Sequence, residues 1–200
     1  KGPWGPGHVY HNFRDSNIET FLPAIKWLTD QGAWVLRMGK IMERRVNVNL
    51  NRFVDYAFSP EKNDLMDIWL FSNCDLCITT GTGLDTLCEA YQRPMLELNS
   101  LPLLNFRSYS HVIHAPKNLK WKNNGALLNI NEHFENPFNH TNAYEDAGIE
   151  IVDLDQNMIL EIVKECWQRI QGTWEDSELD LSRFKSFIEI MGNHPDYEKI

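Results

Sequence analysis

The sequence predicts an α/β fold built on a parallel sheet with helices on both faces. Three observations predict it. Short apolar, β-favouring runs alternate with amphipathic segments of helical period along most of the chain. Residues 74–99 place an apolar run, a Thr/Gly loop, a short amphipathic segment, a proline and a second apolar run in immediate succession, the order of a strand-loop-helix-strand unit. The 200 residues are 42% apolar and 24% charged, enough chain and enough hydrophobicity for one sizeable core.

From the amino end, residues 1–15 read as a leader, opening Lys1-Gly2-Pro3-Trp4-Gly5-Pro6-Gly7. The expectation is a fragment that lacks its first elements. Ser16 and Glu19 stand at capping-box spacing. Ile18, Phe21, Leu22, Ile25 and Leu28 follow at helical spacing, and Pro23 fits if the true first turn begins near Leu22. Gln31-Gly32 ends that helix. Residues 33–38 read as a strand and 53–57 as a weaker one. Asn63 or Asp64 can cap a helix that carries Leu65, Met66, Ile68, Trp69 and Leu70. A strand at Leu76, a helix over 84–92, a strand from Met95 and a further strand over 111–115 follow. The Asn-rich residues 116–148 hold one or two short helices. Residues 149–154 are a strand, Asp155 caps a long helix through Ile170, and a last helix over 179–191 carries Phe184, Phe187, Ile188 and Met191 on one stripe. The expected division is a leader over 1–15, an α/β domain over 16–173 and a helical extension over 174–200.

A net charge of −9 argues against general nucleic-acid binding, which needs a basic footprint. No apolar run approaches the length needed to span a bilayer. Cys74, Cys77, Cys88 and Cys166 are too few for a disulfide framework, so free thiols in a reducing cytoplasm are the simplest expectation. Cys74-x-x-Cys77 and His111-x-x-His114 have zinc-ligand spacing, but in strands that spacing sends the two side chains to opposite faces. No metal site and no cofactor is expected.

Thr80-Gly81-Thr82-Gly83 is the main signal. Glycines at 81 and 83 permit positive φ and close backbone approach, the threonines offer hydroxyls, and a helix opening near Leu84 adds its positive end. Free N–H groups aimed at one spot suit a phosphate. A plain tight turn is the alternative. Glu89, on the following helix, suits ribose hydroxyls or simple solvation, and Asp85 is explained by the helix dipole alone. Arg37, Gly39 and Lys40 follow a strand and offer a turn with phosphate-neutralising cations. Ligands of such sheets bind beyond the carboxyl ends of the strands. The loops at 37–40, 79–85 and 99–106 should therefore share one rim, with His11, Arg14, Asp15 and Asp85 as further cleft candidates.

The segment Thr80-Gly81-Thr82-Gly83-Leu84-Asp85 followed by Glu89-Ala90 and Arg93-Pro94 resembles the donor-site segment of two-domain glycosyltransferases of the GT-B fold. With residues 10–18, Val35-Leu36-Arg37-Met38-Gly39, Val54-Asp55-Tyr56-Ala57 and Asp67-Ile68-Trp69-Leu70, the chain resembles bacterial glycosyltransferases of surface-polysaccharide synthesis over residues 10–99. The resemblance implies a Rossmann-like sheet forming the carboxyl-terminal, donor-binding half of a GT-B fold, with the amino-terminal domain missing. It implies that Thr80, Gly81, Thr82, Gly83 and Leu84 hold the donor diphosphate and that Glu89 lies near the nucleoside. Many retaining members have two glutamates eight residues apart; here the position eight before Glu89 is Gly81. The expected partners are a nucleotide-sugar as co-substrate and a glycan or lipid-linked glycan acceptor, in metal-independent transfer. Alternatives are a sugar-nucleotide epimerase, for which His11 and His114 are candidate acid/base groups, and a non-catalytic nucleotide-binding or assembly module.

Overall fold

A computed structural model describes residues 12–40, 42–105, 107 and 111–195. Asn17, not Ser16, opens the first helical stretch: its side chain accepts from Glu19 N–H at the head of a 3-10 turn, Ile18–Phe21. Helix α1 then runs Leu22–Asp30 with Pro23 in its first turn, where a missing N–H costs nothing. Strands β1 (Val35–Leu36) and β2 (Phe53–Val54) pair in parallel. Asn63 caps α2 (Asp64–Asn73) through Met66 N–H. Strands β3 (Cys77–Thr79), β4 (Met95–Ser100) and β5 (Val112–Pro116) form a three-stranded parallel sheet in that order, with α3 (Thr86–Ala90) crossing between the first two. Strand β6 (Asn118–Trp121), α4 (Ile130–Glu135), α5 (Thr141–Asp146), β7 (Ile149–Val152), α6 (Gln156–Gln171) and α7 (Glu178–Gly192) complete the order. The result is a mixed α/β architecture with parallel sheets.

The period of two along β4 divides the core. Leu96 and Leu98 face α1 and α6, packing with Ala24, Leu28, Ile159, Val163 and Cys166. Trp27 and Trp167 meet edge to face between those helices, with ring centres 6.5 Å apart. Met95 and Cys77 point the other way, against Phe71 of α2 and Cys88 of α3. The sheet is therefore covered on both faces, and every second residue of β4, Glu97 included, belongs to the α2/α3 side.

Two expectations are corrected. The strand at 149–154 does not join the parallel sheet: β7 pairs antiparallel with β6 and shares a separate core with Phe13, Leu101, Leu119, Leu128 and Tyr144. Only Leu119 of Asn118-Leu119-Lys120-Trp121 is fully buried, so this strand has no local pattern and exists through its partner. The strands at 33–38 and 53–57 shrink to two residues each, although Arg37 N–H still donates to Val54 O and Ala57 N–H to Arg37 O. The carboxyl-terminal helix docks on α4 through Phe187 against Phe134, ring centres 6.4 Å apart, and through buried Met191. Phe184 and Ile188 of the same stripe stay exposed.

Leu98 has no exposure and touches both flanking helices' cluster, whereas Phe184 is 63% exposed. Leu98→Ala is expected to cost about 2–5 kcal/mol in urea unfolding and Phe184→Ala less than about 1 kcal/mol. Equal costs would contradict this division of the core.

Candidate functional site

The register of the parallel sheet sets one polar row across it. Thr79 of β3 pairs with Glu97 of β4, which pairs with His114 of β5. Register partners point to the same face, so all three side chains stand on the α2/α3 side where β3 ends. Apolar burial of their neighbours Cys77 and Met95 fixes that orientation.

The loop after Thr79 folds over this row. Gly81 has φ +77°, and a Cβ there would stand 2.9 Å from Glu97 Oε1, so both backbone and space demand glycine. Asp85 is completely buried. Its Oδ2 accepts from Thr79 Oγ1 at 2.7 Å and from Thr82 N–H at 2.7 Å, while Oδ1 accepts from Arg107 Nη2 at 2.8 Å. The Gly81 N–H donates to Thr79 Oγ1 at 3.2 Å, and Thr86 Oγ1 donates to Gly83 O at 2.7 Å. On the other wall the register of β4 shifts between Leu98 and Ser100. Asn99 lies there with φ +55°, fully buried, its Oδ1 accepting from Leu154 N–H at 2.8 Å. This irregularity turns Ser100 and Leu101 toward the loop.

Arg107 closes the constellation. Its Nη1 meets Glu89, its Nε lies 3.5 Å from Glu97 Oε2, and its backbone N–H donates to His114 Nε2 at 3.0 Å. That contact is shorter than the 3.3 Å between His114 Nε2 and Arg107 O. It assigns the imidazole proton to Nδ1, which faces Glu97 Oε2 at 3.4 Å. Arg14 arrives from the leader. Buried Phe13 anchors it beside Tyr144, and Lys117, itself 3% exposed, ties the next residue by donating to Asp15 O at 2.6 Å while pairing with Asp153 at 2.7 Å. The half-open pocket is about 290 Å³. Its polar lining comes from Arg14, Thr80, Glu89, Glu97, Ser100 and Arg107.

Burial raises the Glu97 pKa above the ordinary carboxylate value, partly offset by Arg107 and reinforced by the neighbouring Asp85 charge. Burial lowers the His114 pKa, and the Arg107 charge acts in the same direction. Both shifts run toward the uncharged form of the side chain.

The structure brings together only part of the expected set. Thr80, Gly81, Glu89 and Arg14 line the pocket. The expected cradle of free amides over 80–84 does not form as such, because the Gly81 and Thr82 amides serve Thr79 and Asp85. Gly83 does not take positive φ; its Cβ position is open space, and with Leu84 it opens the 3-10 turn Gly83–Asp85. Asp85 is a brace rather than a simple dipole complement. Arg37, Gly39 and Lys40 do not reach the pocket. Arg37 pairs with Asp55 at 3.3 Å and donates to Arg44 O at 2.9 Å, the Gly39 carbonyl accepts from Lys62, and Lys40 is exposed. The cause is the short β1, which turns this loop away from the end of β3. Asp15 offers its carbonyl to Lys117 instead of the pocket. His11 lies outside the described residues.

Glu97 and Arg107 are absent from the expected set, whereas Ser100, Leu101 and Asn105 come from the loop over 99–106 expected on this rim. Glu97 had a signal: a carboxylate inside the apolar run Met95-Leu96-Glu97-Leu98 is a charge in a buried strand. Arg107 had none, since nothing in local spacing links it to residues 85, 89 or 97. Asp153-Leu154-Asp155 has the Asp-x-Asp spacing of metal-dependent transferases, which the expectation of metal independence overlooked. Asp153 pairs with Lys117, and Asp155 caps α6 through Asn157 and Met158 N–H. A larger, more open cleft of about 570 Å³ lies beside the end of α1, between Thr29 and Arg52. Its charges are engaged, Asp30 with Lys26 and Arg52 with the Gly32 carbonyl. Among the described residues no group of three or more His, Cys, Asp or Glu is arranged to hold a metal ion, and no helix is long and apolar enough to cross a membrane.

No protein-family model, curated protein or solved structure matches this chain.

Asp85→Asn places an NH2 where two donors now point. It is expected to cost about 3 kcal/mol of stability and to speed hydrogen exchange at Gly81 and Thr82; unchanged exchange there would show that the brace is not Asp85. His114 and His133 both have pKa values lowered by burial from 6.5. The unfolded chain then binds protons that the folded chain refuses, so stability should fall as pH drops from 7 to about 5.5. Denaturation across that range should show the slope in the native protein and a flatter one in His114→Gln/His133→Gln. Glu97, raised above 4.5, works in the opposite sense, its contribution declining as pH rises through its folded value.

Proposed function

We propose that this chain is the donor-binding half of a glycosyltransferase, a Rossmann-like unit of a GT-B fold that takes a nucleotide-sugar and transfers its sugar to a glycan acceptor. The observation that carries the reading is Arg14. It faces the pocket where β3 ends, beside Thr80, and no carboxylate pairs with it among the described residues. Its guanidinium lies over the Phe13 ring, 5.3 Å from the ring centre, and no salt bridge among the described residues neutralises it; a cation so placed at the carboxyl edge of parallel strands is suited to a phosphate. The residues quoted above for the resemblance support the same reading.

In the transfer, the acceptor oxygen bonds to the anomeric carbon as the bond to the nucleoside diphosphate breaks. Negative charge grows on the leaving phosphate, and Arg14 is placed to stabilise it. The acceptor hydroxyl must lose a proton to a base, which this fold ordinarily draws from the other half. Binding without efficient turnover is therefore the expectation for these residues alone.

The convergence of Glu97 and His114 favours one second reading, an epimerase-like enzyme working on the same ligand class. Product analysis with donor and no acceptor separates the two, since only the epimerase converts the donor.

Screening UDP-, GDP-, ADP- and CMP-sugars by thermal unfolding is expected to reveal at least one ligand that stabilises the protein, by about 2.7 kcal/mol at 100 times its Kd. Arg14→Ala should remove most of that shift. A panel without any shift would overturn the reading.

A further inference from the structure

Glu97 is an anomaly that the diphosphate reading does not use. The residue is 7% exposed, and its Oε2 is sealed from solvent without accepting a hydrogen bond. Its nearest donors, Arg107 Nε and His114 Nδ1, stand at 3.5 and 3.4 Å, too far to satisfy the oxygen. Arg107 cannot close in, because Asp85 and Glu89 hold its two other nitrogens. Gly81 leaves the other oxygen, Oε1, uncovered by any Cβ. A buried carboxylate in this condition is costly to the fold unless something else completes its hydrogen bonding.

The same pocket holds the complementary defect. Arg14 Nε is a buried donor without an acceptor. A ligand that satisfies both walls must donate to Glu97 and accept from Arg14. A phosphate accepts only, and set against Glu97 it would add repulsion to a pocket where Asp85, Glu89 and Glu97 already outnumber Arg14 and Arg107. A hydroxyl does both. At about 290 Å³ the cavity is far smaller than a whole nucleotide-sugar requires and near the lower end of ligand pockets, a size for one ring and an attached phosphate.

We propose that Glu97 is the recognition residue of a glycosyl subsite: it accepts hydrogen bonds from hydroxyls of an uncharged sugar ring, while the attached phosphate lies on the Arg14 side and the nucleoside extends outside. This rests on the donor-binding reading and assigns which part of the donor the pocket reads. Ser100, turned inward by the irregularity at Asn99, stands on the same wall as a further hydroxyl partner. The pocket therefore recognises the sugar and tolerates the base.

Isothermal titration of the native protein and Glu97→Gln with UDP, UDP-glucose, UDP-N-acetylglucosamine, GDP and GDP-mannose tests this, with matching circular dichroism as the check on folding. The native protein should bind at least one sugar-bearing form about tenfold or more tighter than the corresponding bare diphosphate. Glu97→Gln should still bind the bare diphosphate but lose that preference, whereas Arg14→Ala should weaken both. Equal binding of bare and sugar-bearing nucleotides by the native protein, or a preference that survives Glu97→Gln, overturns the glycosyl subsite and leaves the donor-binding reading standing. Should Glu97→Gln fail the folding check, Ser100→Ala takes its place, and an unaltered preference there counts against the subsite. Failure of every nucleotide to bind overturns the donor-binding reading itself.

Discussion

The buried carboxylate of Asp85 is the constraint on which the pocket depends. It receives a hydroxyl from β3, an amide from the loop and a guanidinium from the far side of the sheet. Each of these would otherwise be an unsatisfied group in a site closed to water. The carboxylate in turn needs all three, because an ion this buried is tolerated only when its lone pairs are used. The loop conformation, the position of Arg107 and the closeness of Glu89 follow from that mutual need.

The brace explains why the loop differs from a phosphate cradle of the familiar kind. Two of its amides are turned inward, and α3 behind it is only five residues long, so its dipole is modest. Positive charge comes from side chains instead. One arginine is consumed by the brace and the other, Arg14, is delivered by the leader. Residues 13–15 owe their place to buried Phe13 and to the buried Lys117, which joins them to the start of the antiparallel pair. The small second core thus has a task beyond its own stability: it holds the cation that the first core cannot supply.

Local chemistry made much of the framework legible. Asn63, Asp155 and the Pro23 turn were readable from capping and proline rules, and the unit from β3 to β4 from its punctuation by Gly81, Gly83 and Pro94. What escaped was set by distance along the chain. β6 is recognisable only beside β7, and Arg107 only beside Asp85, Glu89 and Glu97. Arg37 misled for a related reason. A cation after a strand resembles a rim residue until Asp55, eighteen positions later, is seen to neutralise it. Glu97 could have been noticed, since a charge within an apolar strand is either an error of assignment or a functional group.

The loop is braced by its own carboxylate, and on the proposed function Arg14 and Glu97 grip the ligand. A crystal structure of the protein with a bound nucleoside diphosphate sugar tests it most directly. The account predicts phosphate oxygens on Arg14, sugar hydroxyls on Glu97, and Asp85 still joined to Thr79, Thr82 and Arg107. Phosphates seated on the Gly81 and Thr82 amides with Asp85 displaced, or a ligand bound away from Glu97, would contradict it.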